Sequence, residues 1–367
     1  MSWLDEHTIF LTVAGSQAHG TARESSDLDL RGVCVAPLPI RLSLFSAFEQ
    51  YEGPLPEGLA RAVSRERAEA ECVIFDVAKF VRLCANANPN ALEILFADPR
   101  DWLLDTPAWR RLYDQRHGFL TKKVQQTFLG YALAQLQRIE THRAWLLQPP
   151  AKQPSREDFG LPAGGGTLSR DDQNRIEQGI AEKLRQYGID DIEMPKPARI
   201  ALAERVAALT RDLLSASEAD IEARMRAVAT RELRLPPEVV SALNAEKRYR
   251  AAMKRWDSYQ TWQAQRNPAR AELERAHGYD TKHAMHLIRL MRMGLEALEQ
   301  GDLFVRRSDA GELAAIRDGA MPFEQLLASA GELRSAMEQA AEKTALPDDV
   351  DLERVDALAT ALMLDHR

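Results

Sequence analysis

The chain is poor in cysteine. Cys34, Cys72 and Cys84 are its only three in 367 residues, and no two form a Cys-x-x-Cys pair. An odd count without that spacing predicts reduced, mostly buried thiols and a cytoplasmic protein. No apolar run approaches the roughly 20 residues that cross a bilayer, so no membrane span is expected. The first residues carry Asp5 and Glu6 where a secretory leader needs positive charge, so no targeting signal is read. Positive charge is not in excess either. The formal net charge is -7, which excludes a globally basic nucleic-acid-binding domain but not a local basic stripe. There is no Gly-x-x-x-x-Gly-Lys-Ser/Thr loop, no internal repeat and no long low-complexity run.

What is present suffices for a sizeable core. The residues are 45% hydrophobic and 28% charged, and the length predicts two or three domains. Thr8 to Ala14 is β-branched and apolar and reads as a buried strand. Leu28 to Ala36 alternates, then runs apolar until Pro37, and reads as a second. Residues 49–66 read as loop, and Glu71 to Val77 as a third strand. A helix begins near Lys79 and breaks at Asn88-Pro89-Asn90, with apolar structure resuming over Ala91 to Phe96. From about residue 107 helical periodicity dominates. It spans 124–147, 170–187, 199–233, 236–265, 281–300, 308–343 and 351–365, interrupted by a Pro/Gly-rich loop over 146–170. The expected fold is an α/β (α+β) core with a mixed sheet over 1–105, followed by a larger all-helical region over 106–367.

The most informative stretch is residues 13–32. There Gly15-Ser16 follows the first strand, and Ser26-Asp27-Leu28-Asp29 enters the second. Residues i and i+2 of a strand face one side, so Asp27 and Asp29 present two carboxylates together. Such a pair suits Mg²⁺ or Mn²⁺ bridging protein and triphosphate, because these ions prefer oxygen ligands and share them with phosphates. Gly15 lets the backbone approach phosphates closely, and the Ser16 amide and hydroxyl can donate to them. Arg23 can touch a phosphate. Arg31 shares the face of Asp29 and is placed to orient it by ion pairing. His19 reads as a loop hydrogen-bonder rather than a general base.

These motifs resemble the nucleotidyltransferase signature of the DNA polymerase beta superfamily. Within it they resemble the RNA-repair-pathway (RlaP- or YcgL-like) family. The resemblance is carried by Gly15-Ser16 with Ala18-His19-Gly20-Thr21, by Ser26 to Gly32 and by Asn88 to Phe96. It recurs at Tyr131, Gln135, His142, Trp145 and Pro149-Pro150, and over Tyr279 to Leu290. It implies a polymerase-beta-like core and a third carboxylate on a later strand. Glu71 and Asp76 are the candidates. Glu71 is favoured because it leads its strand and matches the acidic position before Lys79-Phe80, whereas Asp76 reads as a helix N-cap. The set of catalytic and metal-binding residues is thus Asp27, Asp29 and Glu71.

Lys282, His286 and Arg289 fall at i, i+4 and i+7, flanked by His283 and Arg292 with no acid between. With Gly15, Ser16 and Arg23 they are the expected nucleotide-binding residues, a wall for a triphosphate or an RNA end. Leu287, Met291, Leu295 and Leu298 face the core, and Asp280 reads as the cap. A histidine metal site would need His283 and His286 joined by His142 or His277. No Cys or Glu stands at ligand spacing, and this alternative is set aside. Trp256, Tyr259 and Trp262 recur every three residues and are read as packing before base stacking.

The reading is a metal-dependent nucleotidyltransferase. A hydroxyl attacks the α-phosphate of a nucleoside triphosphate such as ATP and pyrophosphate leaves. The resemblance implies an RNA end as acceptor in RNA repair. The alternatives are an antitoxin-type adenylyltransferase that modifies a protein, and a non-catalytic nucleotide- or RNA-binding module.

Overall fold

The computed structural model describes residues 3–24, 26–45, 47–63, 70–163, 178, 237–266 and 268–365. The predicted helices over 170–187 and 199–233 lie outside the described residues, apart from Gln178. The chain divides into two compact units, Met1–Pro149 with Asn267–Arg367, and Pro150–Arg266.

The first unit opens with a short helix α1 (Trp3–His7) and strand β1 (Thr8–Ala14), followed by α2 (Gly15–His19) and β2 (Asp29–Cys34). Next come α3 (Leu38–Arg41), β3 (Gln50–Pro54), α4 (Glu57–Ala62) and β4 (Glu71–Asp76). Then α5 (Val77–Ala85), α6 (Pro89–Leu95), β5 (Trp102–Asp105), α7 (Pro107–Tyr113) and the long α8 (Lys123–Leu147) follow. The sheet order is β3-β4-β2-β1-β5. β2 and β4 run parallel and the other pairs antiparallel, so the sheet is mixed, as expected.

β1 lies between β2 and β5 and is buried along nearly its whole length, which is why it reads as a continuous apolar run rather than an alternation. One sheet face, with Leu11, Val13, Leu30, Cys72 and Ile74, packs with Leu4 and Leu59. The other carries Phe10, Val33 and Phe75 toward the main core, where Phe10 stacks on Trp109 at 3.6 Å between ring centroids. The three cysteines are free and buried.

Residues 49–66, expected as loop, contain β3 and α4. Gly53 and Pro54 punctuate the sequence, but β3 is an edge strand, which tolerates a residue that cannot donate to the ladder.

The second unit holds α9 (Pro237–Ala264). The chain re-enters the first unit at α10 (Pro268–His277), α11 (Thr281–Gln300), α12 (Ala310–Arg317), α13 (Phe323–Lys343) and α14 (Leu352–Asp365). The stretch 308–343, expected to be helical, is two helices. Gly319 at φ 89° and Pro322 stand between them, a left-handed stop followed by a residue that cannot continue a helix. α11 packs against α8 and α13, with Leu287, Met291 and Leu298 buried. No helix among the described residues is long and apolar enough to cross a membrane.

Candidate active site

β1 ends at Ala14, which pairs with Asp29 at the start of β2. Gly15 then turns the chain at φ 61°, and a Cβ there would lie 2.5 Å from Asp29 Oδ2. The positive φ favours glycine, and a Cβ would oblige the Asp29 carboxylate to shift. The backbone of the Gly-Ser segment is thereby held against one carboxylate. Arg31 Nη2 stands 3.6 Å from Asp29 Oδ1, beyond a direct hydrogen bond, while Arg31 Nη1 donates to the Leu30 carbonyl at 2.8 Å. The Asp29 oxygens thus remain partly open to solvent.

Asp27 is exposed and precedes β2, which begins at Asp29. The strand alternation expected for Asp27 and Asp29 therefore holds only from Asp29 onward. Asp27 belongs to the connection that starts with a turn closed by Ser26 N on the Arg23 carbonyl and by Arg23 N on Ser26 Oγ, both at 2.9 Å. Glu71 is exposed at the start of β4, opposite Pro54. The parallel register pairs Leu30 with Cys72 and Arg31 with Val73, so Glu71 and Asp29 each stand one residue before that pairing, on the same sheet face. Asp76 is buried and capping, as the sequence predicts. One oxygen accepts from Ala78 N at 2.9 Å and the other from Ala36 N at 3.2 Å. Burial nonetheless pushes its carboxyl up.

Beside this strand mouth lies a cavity of about 370 Å³, lined by Gly15, His19, Arg31, Glu52, Glu93, His286 and Arg289 among others. Its inner wall is a buried ionic cluster. Arg289 Nη1 donates to Glu93 Oε1. His19 Nε2 lies 3.0 Å from Arg289 Nη1 and 3.1 Å from Glu93 Oε2. Burial pushes the Glu93 carboxyl up, but Arg289 and His19 outweigh it and hold the group below the usual carboxylate range. Burial and then Arg289 lower His19. His286 is lowered to about 3 by burial, with Arg289, Lys282, His19 and His283 adding to it. His286 is thus a neutral hydrogen-bonding group at neutral pH, not a cation.

The basic stripe of α11 is less bare than its own sequence implies. Lys282 is exposed, Arg289 is buried on Glu93, and Arg292 Nη1 donates to Asp309 at 2.6 Å and to Glu312 at 3.0 Å. Helical periodicity sees only neighbours on one helix, and these acids come from other elements. Arg23 pairs with Asp318, and Arg317 Nη1 donates to the Thr21 carbonyl at 3.1 Å, which ties the signature loop to the end of α12. Asp280 caps α11 as predicted, accepting from His283 N at 3.1 Å. In the second unit Trp256, Tyr259 and Trp262 form adjacent rings at 6.0 and 5.9 Å, with Tyr259 buried.

Of the expected residues, the cavity collects Gly15, His286 and Arg289, and Gly15 brings Asp29 alongside. Asp27, Ser16, Arg23, Glu71 and Lys282 are not among its lining residues. Sequence reasoning missed Glu93 and Glu52. Glu93 had a signal, as the single acid in the apolar run Ala91 to Phe96. Glu52 had none, lying in what read as loop.

No curated protein and no solved structure matches this chain. A family model does match, over a stretch under half the chain that holds β1, the Gly15–Asp29 junction, β4 and Glu93. The matching model is that of RlaP, the RNA repair pathway DNA polymerase beta family, and it covers residues 4–147.

Proposed function

We propose that the protein transfers a nucleotide from a nucleoside triphosphate to a hydroxyl, with an RNA end as the acceptor. The observation that carries this reading is the Gly15–Asp29 junction, inside the segment that matches the polymerase beta family model. A side chain at position 15 would fill the space that keeps backbone amides beside a partly open carboxylate.

Asp27, Asp29 and Glu71 would hold a hard divalent ion such as Mg²⁺ or Mn²⁺, although their carboxylate oxygens are not gathered within 4.8 Å of one another in this structure. All three are acidic oxygen donors at least partly open to solvent, and they stand at the entry to neighbouring strands. When bound there, the ion supplies charge neutralisation at the phosphates and a lowered pKa at the attacking hydroxyl. The chain's own residues position the rest. Gly15 and Ser16 offer amides and a hydroxyl to the phosphates. Neutral His286 offers a hydrogen bond from the cavity wall, and Arg289, held by Glu93, contributes a fixed cationic edge. Lys282 is exposed and can follow the leaving pyrophosphate. Arg23 reaches a phosphate by exchanging from Asp318. The hydroxyl oxygen bonds to the α-phosphorus as the bond to the bridging oxygen breaks and pyrophosphate departs.

The test is incubation of the full chain with α-labelled triphosphates and Mg²⁺, with RNA oligonucleotides in one arm and a protein mixture in the other. Label on RNA, lost with Asp29→Asn, supports the reading. Label on protein moves the acceptor to a polypeptide hydroxyl. No label in either arm rejects nucleotidyl transfer to both.

A further inference from the structure

A second group of chemistry-bearing side chains stands at the start of α11, outside the residues assigned above. His142 near the end of α8 and His283 in the first turn of α11 both approach Asp280. His142 Nδ1 lies 3.5 Å from Asp280 Oδ2, and His283 Nε2 lies 3.7 Å from the same oxygen. Both separations are too long for a hydrogen bond of 2.7–3.2 Å. They are close to what two ligands of one tetrahedral ion require. Bonds of about 2.0–2.2 Å to zinc put neighbouring ligand atoms roughly 3.3–3.6 Å apart. All three ligand atoms lie within 4.8 Å of one another.

The surroundings suit an ion. Asp280 is fully buried, and its other oxygen accepts from His283 N at 3.1 Å, which turns Oδ2 toward the two rings. That is the outer contact which metal sites use to fix a ligand's orientation. The His142 ring is steadied by stacking on Trp145, 5.5 Å between centroids at 24°. Two imidazoles and one carboxylate form a borderline donor set. It selects zinc, cobalt or nickel over the all-oxygen preference of Mg²⁺. Both histidines keep 17% side-chain exposure, so the site can be reached from solvent.

We infer that His142, Asp280 and His283 bind one zinc-class dication that ties α8 to the first turn of α11. His286, which lines the nucleotide cavity, sits one turn further along the same helix. The site is independent of the nucleotidyltransferase reading, since none of its ligands belongs to the carboxylate set.

The experiment titrates Co²⁺ into the chelator-treated full chain. It reads the intense visible d–d bands that tetrahedral Co²⁺ shows and octahedral Co²⁺ lacks. One equivalent per chain is expected, displaced by Zn²⁺. Asp280→Asn keeps the helix cap, because asparagine caps as well as aspartate, and His283→Gln and His142→Gln remove one ring each. Each variant should weaken Co²⁺ by about 100-fold or more, the scale of a lost ligand or its outer support. Asp27→Asn should leave the bands unchanged, which separates this site from the carboxylates. Zn²⁺ should raise the melting temperature of the wild type by mass action, and of these variants much less. Absence of tetrahedral Co²⁺ in the wild type overturns the inference, whatever the variants do. So do bands that persist in both Asp280→Asn and His283→Gln with matching circular dichroism.

Discussion

Two sets of charged groups lie near each other in the first unit, and they are built on opposite principles. At the strand mouth Asp27 and Glu71 are exposed, and the link between Asp29 and Arg31 is a long 3.6 Å. Further in, Arg289 and His19 are buried, Glu93 is nearly so at 14% side-chain exposure, and the three are bonded to each other. An exposed ion pair contributes little and is easily exchanged for another partner. A buried one costs heavily in desolvation and is severely destabilising when half of it is removed. On the proposed function, this outer set is the one that takes up a cation and a polyphosphate. The inner set fixes where the wall of the cavity stands. A count of charges cannot separate these roles; burial and mutual bonding can.

The sharpest way to break this contrast is to remove one charge from each set. Asp29→Asn should lower nucleotidyl transfer by about 10²–10³-fold or more, the scale of losing a charge-stabilising group at a phosphoryl centre. Its urea midpoint should stay near that of the wild type. Unchanged transfer would remove Asp29 from the site. Glu93→Ala should do the reverse in solution, leaving buried Arg289 without its partner. A loss of about 3–5 kcal/mol is expected in urea unfolding. The pair Glu93→Leu with Arg289→Met should recover most of it, since no lone charge remains. A single variant as stable as the wild type would show that the inner cluster is not holding the wall.

Gly15→Ala probes the seam between the two sets. Its φ of 61° costs an alanine about 1–2 kcal/mol. The added methyl would also meet Asp29 Oδ2, which must then move. Transfer should fall more than stability does, and the Mg²⁺ concentration for half-maximal rate should rise. A fall in stability alone would reduce Gly15 to a backbone requirement.

The Gly15–Asp29 junction was legible in the sequence because it is local, whereas Glu71 was reached only through the family resemblance. Gly15-Ser16 and Asp27-x-Asp29 lie within one strand–turn–strand unit, and β1 was read with the bounds Thr8–Ala14 that the structure gives it. The caps at Asp76 and Asp280 were legible for the same reason. The inner set was not. Glu93 and Arg289 are separated by most of the chain, and no periodicity on α11 announces a partner on α6. Likewise His142 and His283 show no ligand spacing, because helix packing and not sequence distance brings them to Asp280. The edge strand β3 was hidden by its own Gly and Pro, which an edge position forgives.

Acid stability tests the cavity wall through His286, which lines the cavity beside the inner set. His286 has an ordinary value of 6.5 and is lowered to about 3 in the fold, by burial first and then by Arg289, Lys282, His19 and His283. The unfolded chain takes up that proton below pH 6.5 and the folded chain refuses it. Stability is therefore full above 6.5 and falls as pH drops toward 3, by at most about 1.4 kcal/mol per pH unit. His19, lowered from 6.5, acts with the same sign. Glu93 is depressed from 4.5 by its partners, so its contribution is lost only at pH below 4.5. Between 6.5 and 4.5 the histidines thus act without it. Urea midpoints measured across that window should decline in the wild type, and His286→Gln should flatten the decline by up to one proton's worth. An unaltered slope would mean that His286 is protonated in the folded protein, and the cavity wall would then be cationic after all.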